Sequence, residues 1–199
     1  MPVFLLSPAR CDGKRAKILL NPTATFPLAM RLREPEGAAI GEVFAFLSGL
    51  YFRGKLSYAG AFGPRSSYVI TTDRGLVTPH TRITRQDIEA FGGVDLADAG
   101  GEFLKPFLRD AEQLSRASPP DDPVVLLGSI ASKKYVEPLL EVFGTRLVFP
   151  KEFVGRGDMS RGGLLLRHVT AGTQLEYAPV ATAIRRGRRP PKLEPLRKR

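Results

Sequence analysis

The stretch Val124-Val125-Leu126-Leu127-Gly128-Ser129-Ile130-Ala131-Ser132-Lys133-Lys134 decides the fold. Four consecutive apolar residues without polar alternation read as a strand buried on both faces, as in a parallel sheet. Gly128 ends the run. Ser132 is placed to cap a helix reaching Phe143, where Gly144 provides a stop. A strand, a polar turn and a helix in that order form half of a βαβ unit.

Working outward, Val3–Leu6, Tyr68–Thr72 and Leu147–Phe149 read as further strands. Between them, Ile40, Val43, Phe44, Leu47, Leu50 and Tyr51 recur at helical spacing. The pattern continues through Leu56, Tyr58, Ala59 and Phe62 and predicts two helices with a break near Gly54. Ile18–Leu20 reads as a short strand or helix. Leu76-Val77 resumes an extended path after the turn Asp73-Arg74-Gly75. Thr84 and Asp87 form a capping-box variant ahead of a short helix to Phe91. Phe103, Leu104, Phe107, Leu108, Ala111 and Leu114 predict a helix over 101–116, with Pro106 in its first turn. Leu164–Val169 and Gln174–Ala178 flank Thr170–Thr173 and read as a hairpin. The expected fold is α/β, with a mostly parallel central sheet flanked by helices, a C-terminal β-hairpin and a flexible basic tail. Residues 1–184 form a single domain and 185–199 the tail.

In an open α/β sheet, ligands bind at the carboxyl ends of the strands. Four polar or glycine-bearing loops follow the strand runs. In the first, Gly13 lets backbone approach a ligand and Lys14 supplies a cation; the Walker spacing is absent. In the second, Asp73 can accept a proton or orient a hydroxyl and Arg74 can hold an anion, although a tight turn explains the same residues. In the third, Ser129 and Ser132 add hydroxyls to free N–H groups at a helix start. The fourth, Gly155-Arg156-Gly157-Asp158-Met159-Ser160-Arg161-Gly162-Gly163, is the densest. Arg156 and Arg161 can fork onto phosphate or carboxylate, and Asp158 can polarise water. A flexible glycine loop is the plainer reading of that stretch. Together the loops suit an anionic ligand. Asp73 and Asp158 are the candidate catalytic groups, and Lys14, Arg74, Ser129, Ser132, Arg156 and Arg161 the candidate anion- or nucleotide-binding groups.

Charge separates the body from its tail. Of the 30 basic side chains, eight fall within 185–199 against the single carboxylate of Glu194, leaving the remaining 184 residues at only +3 of the net +10. Pro190-Pro191 and the lack of aromatics argue against a packed element there. Arg185, Arg186, Arg188 and Arg189 are therefore candidates for contact with nucleic-acid phosphates, or form a solubilising terminus. One cysteine precludes an internal disulfide, no apolar run approaches a membrane span, and the amino-terminal residues lack the pattern of a signal peptide. These features fit a cytosolic setting. Cys11 beside Arg10 and Lys14 is a possible nucleophile, but a lone cysteine next to a strand is more often a small buried residue. Cys11, His80 and His168 do not make a zinc set, and neither a metal nor another cofactor is expected.

Phe4-Leu5-Leu6-Ser7-Pro8-Ala9 and Phe46-Leu47-Ser48-Gly49-Leu50-Tyr51 resemble signatures of the peroxide-stress protein YaaA family. Tyr51-Phe52-Arg53-Gly54-Lys55, Thr72-Asp73-Arg74-Gly75-Leu76-Val77 and Gly155-Arg156-Gly157 are similar to motifs of small uncharacterised bacterial and archaeal α/β domains. The likeness runs in order over residues 3–163. It implies a related fold, DNA binding and a link to stress protection, with Lys14, Arg74 and 155–163 as site candidates. Arg10 stands where the YaaA family has lysine, and Asp73-Arg74 replaces the small domains' histidine. The leading expectation is a protein recognising nucleic acid (DNA or RNA) or a nucleotide-like anionic ligand. The alternatives are an enzyme of glycosidic or phosphoester chemistry on a nucleoside, nucleotide or modified base, and a small-molecule sensor or interaction module. Tyr51 or Tyr58 can stack a base, though both fit the core.

Overall fold

The computed structural model describes residues 1–94, 103–184 and 187–194. In chain order the elements are β1 (Val3–Leu6), α1 (Lys14–Leu19), α2 (Pro27–Arg31), β2 (Ala38–Ala39), α3 (Ile40–Ser48), α4 (Leu50–Phe62), β3 (Ser67–Ile70) and β4 (Leu76–Val77). They continue with β5 (Arg82–Ile83), α5 (Arg85–Gly93), α6 (Leu104–Ala117), β6 (Val124–Leu127), α7 (Lys133–Phe143), β7 (Leu147–Pro150), α8 (Asp158–Ala171) and β8 (Tyr177–Pro179). The six-stranded sheet has the order β4-β3-β1-β6-β7-β8, and β2 and β5 form a separate antiparallel pair.

The four inner strands are parallel, with β1 paired to β3 on one side and to β6 on the other. Phe4, Leu5, Leu6 and all four residues of β6 are fully buried, which accounts for their unbroken apolar sequence. The chain leaves β1 toward β3, then crosses back to place β6 and β7 on the other side. The carboxyl ends of β1 and β6 therefore flank the point where strand order reverses, the usual ligand crevice of an open α/β sheet.

The α/β architecture agrees with the sequence, and several local readings are corrected. The break in the long helical stretch lies at Gly49, with φ 62°, rather than near Gly54. Gly54 stays helical because it and Gly162 let α4 and α8 meet backbone to backbone. A Cβ on Gly54 would lie 2.7 Å from the Gly162 carbonyl oxygen, and one on Gly162 would lie 2.6 Å from that of Leu50. The residues read as the first hairpin strand, Leu164–Val169, lie inside α8, as do Asp158–Gly163 of the supposed glycine loop. Burial of Leu164 and Leu165 beside the glycine contact favours the helix, which stops at left-handed Gly172. The antiparallel C-terminal pair is present, but it joins β7 to β8. Ile18 and Leu19 belong to helix α1, and the second parallel strand ends at Ile70. The capping box is present: the Asp87 carboxylate accepts the Thr84 backbone N–H at 2.6 Å.

Residues 187–194 do not form a detached arm. Leu193 packs against the core, and the carbonyls of Pro191 and Glu194 accept hydrogen bonds from Arg156 and Arg167. Arg185 and Arg186 lie outside the described residues. Among the described residues, no helix is long and apolar enough to cross a membrane.

Candidate functional site

At the carboxyl end of β1 the backbone emerges at Ser7, facing Gly128 at the end of β6. A Cβ on Gly128 would lie 2.8 Å from that of Ser7, so glycine is what allows the two strand ends to close together. Lys55 reaches this point from α4. It is 1% exposed, and its Nζ donates to the Ser7 carbonyl at 2.8 Å and lies 2.9 Å from the Ser7 hydroxyl. Nζ also sits 4.3 Å from the centre of the Tyr51 ring and 4.8 Å from that of Phe52. Burial lowers Lys55 from 10.5 to about 7; Asp158 acts in the opposite direction and Arg161 adds to the lowering. Near neutral pH its amine is therefore available both as a proton donor and as an acceptor.

Two tyrosines complete the wall. Tyr135, in the first turn of α7, donates to the Ser129 carbonyl at 3.3 Å, and the side chains of Ser132 and Ser7 lie beside its hydroxyl. Tyr51, one turn before Lys55, is 5% exposed; the Arg161 guanidinium lies beside its hydroxyl as a donor, and among the described residues no acceptor lies within hydrogen-bond distance of it. Arg161, Asp158 and Tyr135 surround that hydroxyl electrostatically, and desolvation raises its pKa. Asp158 and Arg161 belong to the start of α8. Because α7 and α8 both follow parallel strands, their amino-terminal ends converge on this crevice and bring a positive field to it.

The structure thus gathers Ser129, Ser132, Asp158 and Arg161 around one place. Arg161 is only 13% exposed in its side chain; Nε and Nη2 donate to the Phe153 carbonyl, and Nη1 lies 3.5 Å from Asp158. The remaining candidates lie elsewhere. Arg74 bridges Asp73 at 3.0 Å and Asp87 at 2.7 Å and stacks over Phe91, so Asp73 and Arg74 are engaged in closing their own loop. Lys14 is exposed at the start of α1 and makes no ion pair among the described residues. Cys11 is buried with its thiol against the Ala9 carbonyl; desolvation, then the Asp12 charge, push it up to about 12, so it is not a thiolate at neutral pH.

A second basic feature lies along α8. Arg156, Ser160, Arg167, Arg189 and Lys192 line a cavity of about 360 Å³ that no carboxylate borders among the described residues. Arg156 hydrogen-bonds the Glu152 and Pro191 carbonyls and the Ser160 hydroxyl. Arg188 joins Arg189 and Lys192 around an adjoining open hollow. None of these five cations forms an ion pair among the described residues. Likewise among the described residues, no group of histidine, cysteine and carboxylate side chains is arranged to hold a metal.

Ser7, Lys55 and Tyr135 are absent from the sequence-derived candidates, and Tyr51 appears there only as a base-stacking option. The legible signal was Lys55 itself. It falls four residues after Tyr51, on the apolar stripe of a buried helix, where a charged side chain is seldom placed without a partner. Comparisons with models of known protein families, with curated proteins and with solved structures find no match. The likeness to the YaaA family rests on the short motifs alone.

Proposed function

We propose that this chain binds the phosphodiester backbone of a nucleic acid, with α8 and residues 187–194 as the contact surface. The observation that carries this reading is the cavity bordered by Arg156, Arg167, Arg189 and Lys192 and, among the described residues, by no carboxylate. Cations lacking acidic partners concentrate positive potential, and polyphosphate is the ligand that such a surface attracts most strongly. The β1–β6 crevice offers a second anionic subsite through Arg161 and the two helix starts. A cytosolic setting and the motifs resembling those of the YaaA family accord with this class of partner.

The test is fluorescence polarisation with labelled single- and double-stranded DNA and RNA at two salt concentrations. Arg189→Glu with Lys192→Glu should weaken binding about tenfold or more. It should also reduce the slope of log affinity against log salt by roughly two, about one for each lost phosphate contact. Unchanged affinity and slope would refute the reading.

A further inference from the structure

We propose that Ser7 is a nucleophile, with Lys55 as its base, in a phosphoryl-transfer reaction at the β1–β6 crevice. The phosphoester class of substrate rests on the nucleic-acid reading above; the pair itself rests on separate geometry. A lysine that merely satisfied the end of β1 would need only the Ser7 carbonyl, whereas Nζ also lies 2.9 Å from the Ser7 hydroxyl. It does so inside an aromatic shell, with no carboxylate bonded to it among the described residues. A hydroxyl with an amine base in hydrogen-bond reach is the minimal activated nucleophile.

The surroundings suit a reacting phosphate. Tyr135 stands beside Ser7 on the α7 side. The Tyr51 hydroxyl is buried beside the Arg161 guanidinium and, among the described residues, has no acceptor for its own proton. A phosphoryl oxygen supplies the acceptor that it lacks. Arg161 and the starts of α7 and α8 offset the charge that develops on the equatorial oxygens.

In the first step the Ser7 hydroxyl passes its proton to the unprotonated Lys55 amine as Oγ forms a bond to phosphorus. The bond from phosphorus to the leaving oxygen breaks with its electron pair, and that oxygen takes the proton back from the Lys55 ammonium. In the second step water attacks the phosphoserine and gives a proton to Lys55. The bond between phosphorus and Ser7 breaks, and the proton returns to Oγ. No co-reactant other than water is consumed.

The experiment uses the full chain with bis(4-nitrophenyl) phosphate and, separately, a mixed single-stranded DNA oligonucleotide. Nitrophenolate release, acid-quenched intact mass and peptide mapping should give a burst and a phosphoester adduct on Ser7. Ser7→Ala, checked for native circular dichroism, should abolish the adduct and lower turnover about 100-fold or more. A second measurement treats Ser7→Cys with iodoacetamide at pH 7, alone and with Lys55→Met added, each variant first checked for native circular dichroism and for continued protection of Cys11. The introduced thiol should react at least about tenfold faster than Cys11, and adding Lys55→Met should remove that advantage. Absence of adduct and turnover with both probes, or full turnover by Ser7→Ala, overturns the inference. Oligonucleotide binding without an adduct would leave the binding reading standing, whereas an adduct from the small diester without oligonucleotide binding would overturn the binding reading alone.

Discussion

Replacing Lys55 by methionine should flatten the pH dependence of stability between about pH 7 and 10.5. Burial lowers this amine from 10.5 to about 7 in the folded chain, while the unfolded chain keeps the ordinary value. Between those limits the unfolded state binds more protons, so native stability rises with pH by up to about 1.4 kcal/mol per pH unit. The penalty of burying the ammonium is fully present below the folded value and is relieved as pH approaches the unfolded one. From pH 7 to 10 the contribution is roughly 3 to 4 kcal/mol. Methionine removes the titration and also the bonds to Ser7, each worth about 1 kcal/mol, but that loss adds a nearly constant offset and leaves the slope as the diagnostic. Cys11 also titrates differently in the two states within this range; it is common to both proteins and largely cancels in their difference. Urea unfolding of both proteins at pH 7, 8, 9 and 10 supplies the test. Stability curves that stay parallel to within about 1 kcal/mol would show that the buried amine does not titrate with a lowered pKa, and the case for Lys55 as a base would fall with it.

Gly162→Ala forces a Cβ to 2.6 Å from the Leu50 carbonyl oxygen and 2.7 Å from the Tyr51 Cα. Overpacking against backbone should cost about 1–3 kcal/mol in urea unfolding, and a gain of the roughly 1 kcal/mol that alanine offers in an unconstrained helix would contradict the close approach of α4 and α8. Cys11 should resist Ellman's reagent in the native protein at pH 7.5 and react stoichiometrically in denaturant. Rapid native labelling would mean that the thiol is neither buried nor shifted upward.

The fold was readable where one residue type dominates a whole element. Val124–Leu127 and Val3–Leu6 could hardly be anything but inner strands, and Thr84 with Asp87 announced the start of α5 through local hydrogen bonding alone. The failures came where tertiary contact overrides local preference. Gly162 and Gly163 lower intrinsic helicity, and Leu164-Leu165-Leu166 read equally as strand, so α8 was missed until its contact with α4 explained the glycines. The candidate site divided along the same line. Ser129 and Ser132 are legible because a helix start after a parallel strand is a predictable position for polar side chains, whereas Asp158 and Arg161 stand out only as charged residues in a glycine-rich stretch after a strand, without the helix that carries them. Lys55 was passed over because it is remote in sequence from the loops it serves, and only the fold brings it to Ser7. Asp73 and Arg74 looked equally suited to a ligand, and nothing local revealed that Asp87 would hold Arg74.

The two outermost strands carry a consequence for self-association. β4 has two residues and β8 three, both run against their neighbours, and β8 ends in Pro179, which has no N–H to offer an incoming chain. A docking strand would find too few free backbone groups on either side to continue the ladder. The sheet is in this sense finished at both margins, which disfavours runaway edge-to-edge polymerisation and leaves the helical faces as the route by which two copies of the chain would pair.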